Sequence, residues 1–179
     1  MNIFFKASDN PVNRLQVLIG VSFLFIGGLV YLIDRPPDST YFVYQYARIL
    51  NIYKIAPNIF GPFGNSLPDF VHVFSFILIT TGIISCGGKR GCLLVALGWL
   101  IIDCAFELGQ LYHSLPLEMI PDWFSGIPVL EATKGYFLMG TFDLNDITAL
   151  LLGSSIAYLV SVATIRRRKI LCTVIKGDF

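Results

Sequence analysis

Acidic, amide and imidazole side chains at helical spacing are the residues of this sequence best suited to chemistry. Asp103, Glu107 and Gln110 follow one another at intervals of four and three residues, so one face of a helix would carry all three. Asp69 and His72 are three residues apart and would share a face of an earlier helix. Such groups can transfer protons, bind a cation or an amine, or hydrogen-bond to sugar hydroxyls. An acid-rich group of this kind disfavours a phosphate.

These polar residues lie in or beside long apolar segments, where an ionisable side chain costs about 2.5–3.5 kcal/mol at the centre of a bilayer. Each of these acidic residues could have a structural role instead of a functional one. Asp143 and Asp146 are spaced as a helix N-cap and a third helical position. Asp69 follows Pro68 and could also stabilise a helix start. Asp103 falls in mid-segment, so its structural alternative is a hydrogen bond between helices.

The distance of each residue from the inner end of its predicted helix indicates which of these groups lie at the same level and can meet. With a rise of 1.5 Å per residue, Asp103 lies ~16 Å from Cys92, and Glu107 lies ~6 Å further out. His72 lies ~21 Å from Cys86, at the height of Glu107, so a His72–Glu107 pair is expected. The spacing therefore predicts a buried polar cluster, a ligand-binding wedge open to the outer side, formed by Asp69, His72, Asp103, Glu107, Gln110 and Asp146.

The composition indicates a membrane protein. The chain has 179 residues, 55% of them hydrophobic and 14% charged, with a mean hydropathy of +0.69. Four stretches approach the ~20 residues that cross a bilayer as a helix. They are Leu15–Ile33, Leu67–Cys86, Cys92–Tyr112 and Asp146–Ile165. We expect residues 1–179 to form one all-α transmembrane domain, a bundle of four helices. The expected partner of this bundle is the lipid bilayer around it.

The distribution of charge predicts the orientation. With the N-terminus inside, nine Lys and Arg residues fall on the inner side and four on the outer side. The inner set is Lys6, Arg14, Lys89, Arg90, Arg166, Arg167, Arg168, Lys169 and Lys176, and the outer set is Arg35, Arg48, Lys54 and Lys134. Both termini are therefore expected in the cytoplasm of a bacterial-type cell. The net charge of +1 offers no basic excess for a nucleic-acid partner.

Two outer loops of about thirty residues join the predicted helices. In the first loop, Tyr41–Ile55 is predicted to be a helix lying in the membrane interface. The alternation of residue types in Tyr41–Tyr46 also fits a strand. In the second, prolines at 116, 121 and 128 divide the chain into short pieces that rest on the bundle. Both loops are expected to be ordered and to contain short interfacial helices.

Motifs for catalysis or metal binding are few. Cys86 and Cys92 flank a short basic loop, but no second Cys or His pair accompanies them, and the chain has two His in all. No nucleophile elbow, H-E-x-x-H motif or phosphate-binding loop is present. We therefore expect no catalytic residue, metal or cofactor, with acid–base chemistry by His72, Asp103 and Glu107 as the enzymatic alternative. A transporter is disfavoured because the inner half of the bundle offers almost no polar groups.

Three short motifs resemble those of VanZ-like proteins. They are the acid and His in LPDFVHVFSF, the Glu-x-x-Gln in FELGQ, and the Asp followed by Gly in GTFDLNDITALLLGSSIAYLV, here Asp69 with His72, Glu107 with Gln110, and Asp146 with Gly153. The resemblance covers about residues 67–160. It implies a four-helix membrane protein with a polar site on the outer side; one branch of the family is associated with resistance to glycopeptide antibiotics.

The chain departs from the usual family pattern at several positions. The acid and His are three residues apart instead of four, and Phe70 stands where a basic residue is usual. Thr141–Phe142 replaces an Arg, and Leu150 replaces an Asn. We expect a non-enzymatic membrane protein that binds an envelope-related or lipid-linked ligand. The alternative is an accessory or assembly subunit of a larger membrane complex, for which small residues such as Gly20 and Gly153 would permit close helix packing.

Overall fold

The described part of the chain is helical. The computed structural model describes residues 12–34, 59–61, 63–86, 88–112, 114–127 and 130–177, and each regular element in these ranges is an α-helix or a 3₁₀ turn. The α-helices are α1 (Arg14–Asp34), α2 (Phe63–Ile84), α3 (Lys89–Leu111), α4 (Ser114–Met119), α5 (Thr133–Met139) and α6 (Leu144–Gly177). The 3₁₀ turns Asp122–Gly126 and Leu130–Ala132 lie between α4 and α5. The predicted element Tyr41–Ile55 lies outside the described residues.

Four of these helices are long and apolar enough to cross a membrane, which confirms the predicted all-α bundle. They are α1, α2, α3 and the Leu144–Ile165 part of α6, with mean hydropathies of 1.8 to 2.2. Their bounds lie within a few residues of the predicted ones, except that α6 continues to Gly177. Helix α2 begins one turn earlier than expected, so Pro68 lies inside it. The short helices predicted in the second loop are present as α4 and α5.

Helix α2 is the centre of the bundle and packs against α1, α6 and α3. The core is formed by Val73, Phe74, Ile77 and Leu78 of α2 with Ala96 of α3 and Leu150 and Ala157 of α6. Glycines allow α1 and α6 to approach α2 closely. A Cβ atom added at Gly20 of α1 would lie 2.9 Å from the backbone oxygen of Ser75, and one at Gly153 of α6 would lie 2.8 Å from that of Phe70.

A separate set of buried hydrogen bonds joins α1, α2 and α6 near the start of α1. The Gln16 side chain is fully buried, and its Nε2 donates to the Ser161 carbonyl at 3.0 Å and to Thr164 Oγ1 at 2.7 Å. The hydroxyls of Thr81 and Ser161 lie 3.2 Å apart. The expectation of almost no polar groups in this half of the bundle, which the distribution of charge assigns to the inner side, is therefore wrong. Hydroxyls such as that of Thr164 also bond to a carbonyl one turn back, so they are tolerated in an apolar helix.

The bundle has two distinct ends. At one end the backbone N–H of Asn13 donates to the Gly82 carbonyl at 2.8 Å, which brings the start of α1 to the end of α2. At the other end α5 packs on α3, because the Phe137 ring stacks on Phe106 with centroids 5.7 Å apart and lies against Gly109. The second loop is thus fixed to the end of the bundle at which α6 begins.

Candidate functional site

A cavity of about 910 Å³ lies among the membrane-spanning helices. Among the described residues, helices α1, α2 and α3 supply most of its wall, together with Tyr136 of α5 and Leu150 of α6. Its volume falls at the upper end of the range, about 300–1,000 Å³, that small-molecule pockets occupy. Four of the six residues predicted as the polar cluster line this one cavity, namely Asp69, His72, Asp103 and Glu107.

Glu107 is the most deeply buried acid of the cavity, with 4% of its surface exposed. Its Oε1 atom accepts hydrogen bonds from Gln110 Nε2 at 3.1 Å and from the Tyr136 hydroxyl at 3.3 Å. Its Oε2 atom is buried and has no hydrogen-bond partner among the residues that the structure describes. One carboxyl oxygen is thus held by described side chains, and the other is buried without such a bond.

Gln110 and Tyr136 together fix the orientation of Glu107. Gln110 is buried behind the cavity wall, and its Nε2 also donates to the Tyr136 hydroxyl at 2.6 Å. A Cβ atom at Gly140 would lie 2.5 Å from Gln110 Oε1, so the chain after α5 closes over the amide. Burial of the hydroxyl and the nearby Glu107 carboxyl raise the pKa of Tyr136, which therefore remains a donor at neutral pH.

Tyr136 is the site residue that sequence reasoning missed. It belongs to the last of the short pieces into which prolines divide the second loop, and its contact with Glu107 joins positions 29 residues apart in sequence. The available signal is a single hydroxyl within the otherwise apolar end of α5, because a Tyr hydroxyl packed among apolar residues usually takes a hydrogen-bond partner.

His72 lies beside Asp103 and not beside Glu107, which corrects the predicted pair. Its Nδ1 atom is 3.5 Å from Asp103 Oδ2; the His72 side chain is 47% exposed and that of Asp103 is 9% exposed. The helix ends explain the difference. Because α2 ends at Ile84 and α3 begins at Lys89, His72 lies ~18 Å from its helix end, Asp103 lies ~21 Å and Glu107 ~27 Å from theirs.

Asp69 and Asp146 complete the acidic surroundings of Glu107. Both lie close enough to act on it electrostatically, as does Asp103. Asp146 is the third residue of α6, and Asp143 caps that helix, because its Oδ1 accepts from the Asn145 backbone N–H at 2.9 Å. The predicted cap is therefore present, and Asp146 lies at the helix start while remaining near the cavity.

An aromatic row fixes the wall between α2 and α3. The His72 ring contacts Phe76 with centroids 4.4 Å apart, and Phe76 contacts Trp99 at 4.8 Å. Trp99 Nε1 donates to Thr80 Oγ1 at 3.0 Å, so the indole cannot rotate away from α2 without losing that bond. Trp99 and Phe106 both line the cavity, one on each side of Asp103 along α3.

The Cys, His and acidic residues that the structure describes are the side chains that a metal centre would use. Among the residues that the structure describes, no group of three or more His, Cys, Asp or Glu side chains is arranged to hold a metal ion. Cys86 and Cys92 are buried and not joined by a disulfide, and their thiols lie in hydrogen-bonding contact across the turn between α2 and α3. They lie at the opposite end of the bundle from Glu107.

No family model, no curated protein and no solved structure matches this chain. The likeness to VanZ-like proteins therefore stays a resemblance in three short motifs. The geometry of the cavity combines two buried carboxyl groups, a half-exposed imidazole and a large apolar wall, so its surface has both polar and apolar parts.

Proposed function

We propose that this membrane protein, similar to VanZ-like proteins, binds an envelope-related or lipid-linked molecule in the cavity among α1, α2 and α3 without converting it chemically. The observation that carries the proposal is the position of Glu107. Its Oε1 is held by Gln110 and Tyr136, whereas its buried Oε2 has no hydrogen-bond partner within the described part of the chain. A buried carboxyl oxygen without a partner is costly unless a bound group or water satisfies it.

The proposal includes an orientation in a bacterial-type cytoplasmic membrane. The end of the bundle at which α1 starts and α2 ends carries Arg14, Lys89 and Arg90. Lys and Arg residues in short loops favour the cytoplasmic side. We therefore assign this end and both termini to the cytoplasm, so the cavity belongs to the outer half of the membrane. Labelling of single cysteines introduced near each helix end, with a reagent that does not cross membranes, tests this assignment.

The test of binding is native mass spectrometry of the protein released from nanodiscs or mild detergent. We expect one defined small molecule to remain bound to the wild-type chain and to be lost from Glu107→Gln, which cannot carry a charge. Glu118→Gln is the matched control, because Glu118 is an exposed acid of α4 outside the described cavity wall. Equal occupancy in wild type and Glu107→Gln, or no bound molecule in either, would refute the proposal.

The alternative function is that of an accessory subunit in a larger membrane complex. Exposed apolar side chains on α1 and α3, such as Phe25 at 69% and Ile101 at 66%, could face lipid or a partner helix equally well. The same mass measurement separates the two functions. A stoichiometric larger assembly would favour the subunit, whereas a small monomer with its own bound molecule would favour the binding protein.

A further inference from the structure

We propose that the ligand is a neutral lipid whose polar end is a hydroxyl, held by Nε2 of His72, with its hydrocarbon chain in the groove between α1 and α3. This inference rests on the proposed binding function and names the chemical class of the ligand. Three observations carry it: the depth of His72, the contact that orients its ring, and the apolar wall around it.

His72 lies close to the middle of a membrane-spanning helix. It follows Phe63 by nine residues in a helix of 22 residues, so it lies ~14 Å from the start of α2 and ~2 Å from its middle. A charged headgroup is costly to bring to this depth of a bilayer. A hydroxyl carries no charge, and one hydrogen bond offsets most of the cost of burying it. The depth of His72 therefore favours a lipid with an uncharged polar end.

Asp103 determines which nitrogen of the imidazole a ligand can use. His72 Nδ1 lies 3.5 Å from Asp103 Oδ2, and the ring contacts Phe76 with centroids 4.4 Å apart. Because a carboxylate accepts, Nδ1 carries a proton in either charge state of the ring, which leaves Nε2 for a ligand. Nε2 has no hydrogen-bond partner among the described residues, and the side chain, 47% exposed, lines the cavity.

A hydroxyl suits Nε2 of His72 in both charge states of the ring. The neutral ring accepts a hydrogen bond at Nε2, the protonated ring donates one there, and a hydroxyl can do either. An ammonium group only donates, and a phosphate or carboxylate oxygen only accepts, so each of them fits one charge state alone. The described lining also contains no Lys or Arg that would hold an anion.

The acids of the cavity wall are already engaged by the protein. Asp103 faces His72, and Glu107, 4% exposed, accepts two hydrogen bonds from described side chains. Asp69 also has an interaction of its own. Each of these acids is less exposed than His72. The imidazole is therefore the better contact for the polar end of a ligand.

The rest of the cavity wall is suited to a hydrocarbon chain. Helices α1 and α3 both pack on α2, and large apolar side chains line the groove between them and remain exposed. They include Phe25 (69%) of α1 and Ile102 (46%) and Phe106 (44%) of α3. A small water-soluble alcohol would leave this surface uncovered, whereas the chain of a lipid alcohol would bury it.

Quenching of Trp99 fluorescence by brominated chains tests the polar end. Trp99 lines the cavity and Trp123 is the other Trp of the chain, so the parent protein carries Trp123→Phe and is placed in phosphatidylcholine nanodiscs. Four probes share a brominated dodecyl chain and carry a hydroxyl, no polar group, a trimethylammonium or a carboxylate. We expect the alcohol to reach half-maximal quenching at a mole fraction in the lipid about 2–12-fold lower than the chain without a polar group, which corresponds to one net hydrogen bond. Both charged probes should require more than the alcohol.

Two pairs of variants locate the interaction. His72→Phe keeps a ring beside Phe76 but has no ring nitrogen, so the alcohol should quench no better than the chain without a polar group. Tyr112→Phe is the matched control, because it removes an exposed hydroxyl outside the described lining and should leave the preference unchanged. Gly28→Leu should raise the half-quenching mole fraction, because a Cβ there meets nothing within 4 Å and the side chain would fill the cavity. Gly98→Leu, equally open but outside the described lining, should not raise it.

The opposite results would overturn the inference. Equal quenching by the alcohol and the chain without a polar group, or stronger quenching by a charged probe, would refute the hydroxyl, and this comparison needs no variant at position 72. A preference that survives His72→Phe would refute the role of His72, and equal behaviour of the two Leu variants would refute the groove. These failures are distinct from failure of the proposed function. A molecule without a hydroxyl that copurifies and is lost on Glu107→Gln would sustain the binding function and refute this inference.

Discussion

Substitution of Gly153 by Ala tests the packing on which the site depends. The new Cβ atom would lie 2.8 Å from the Phe70 carbonyl oxygen and 2.7 Å from Val73 Cγ1. A backbone carbonyl cannot rotate away, so an ordinary contact of about 3.4 Å requires α2 and α6 to separate by about 0.6 Å. Overpacking of this kind costs about 1–3 kcal/mol.

Gly98→Ala is the matched control, because a Cβ at Gly98 meets nothing within 4 Å. Both variants gain the same intrinsic helix preference of Ala over Gly, about 0.5–1 kcal/mol, so this effect cancels in the comparison. The difference of about 1–3 kcal/mol corresponds to a melting temperature about 2–12 °C lower for Gly153→Ala. Circular dichroism in one detergent measures both. If Gly153→Ala melts at or above Gly98→Ala, the close α2–α6 contact is not present as described.

Three further predictions concern other contacts. Tyr136→Phe removes a donor to Glu107, and its unfolding free energy should fall by about 0.5–1.5 kcal/mol; an unchanged melting temperature would contradict the hydrogen bond. Gln16→Leu should cost about 0.6–1.7 kcal/mol in denaturant unfolding, whereas a more stable variant would show that the buried amide is not needed. Mild oxidation with copper phenanthroline should join Cys86 to Cys92, and trypsin, which cleaves at the basic residues between them, should release two linked peptides; separate peptides would refute the contact.

The four spans could be predicted because length and apolar composition are local properties of the chain. An apolar run of about 20 residues is a helix in a bilayer whatever it packs against, since its backbone groups must bond within the segment. The shared face of Asp103, Glu107 and Gln110 is likewise local, and all three are buried in the structure. The extension of α6 to Gly177 could not be predicted in this way, because the residues after the span include a run of basic side chains and the prediction used apolar runs alone.

Relations between helices could not be predicted in the same way. The partner of His72 depends on where α2 ends and α3 begins, and a shift of a few residues moves a side chain by a full turn. The contact of Gln16 with Thr164 joins residues 148 positions apart, so only the folded bundle brings them together. Tyr136 reaches Glu107 because α5 packs on α3, and nothing in seven residues of sequence specifies that packing.

The central position of α2 has a consequence for biosynthesis. Half of its span is buried, compared with 28% for that of α6 and 22% for that of α3. Its main neighbours are α1, made before it, and α6, made last. Helix α6 begins 60 residues after α2 ends, so at about 5–20 residues per second the ribosome delivers it about 3–12 s later. During that interval the α6-facing side of α2, including Thr81, lacks its partner, so a membrane insertase that shields α2 would raise the yield of folded protein.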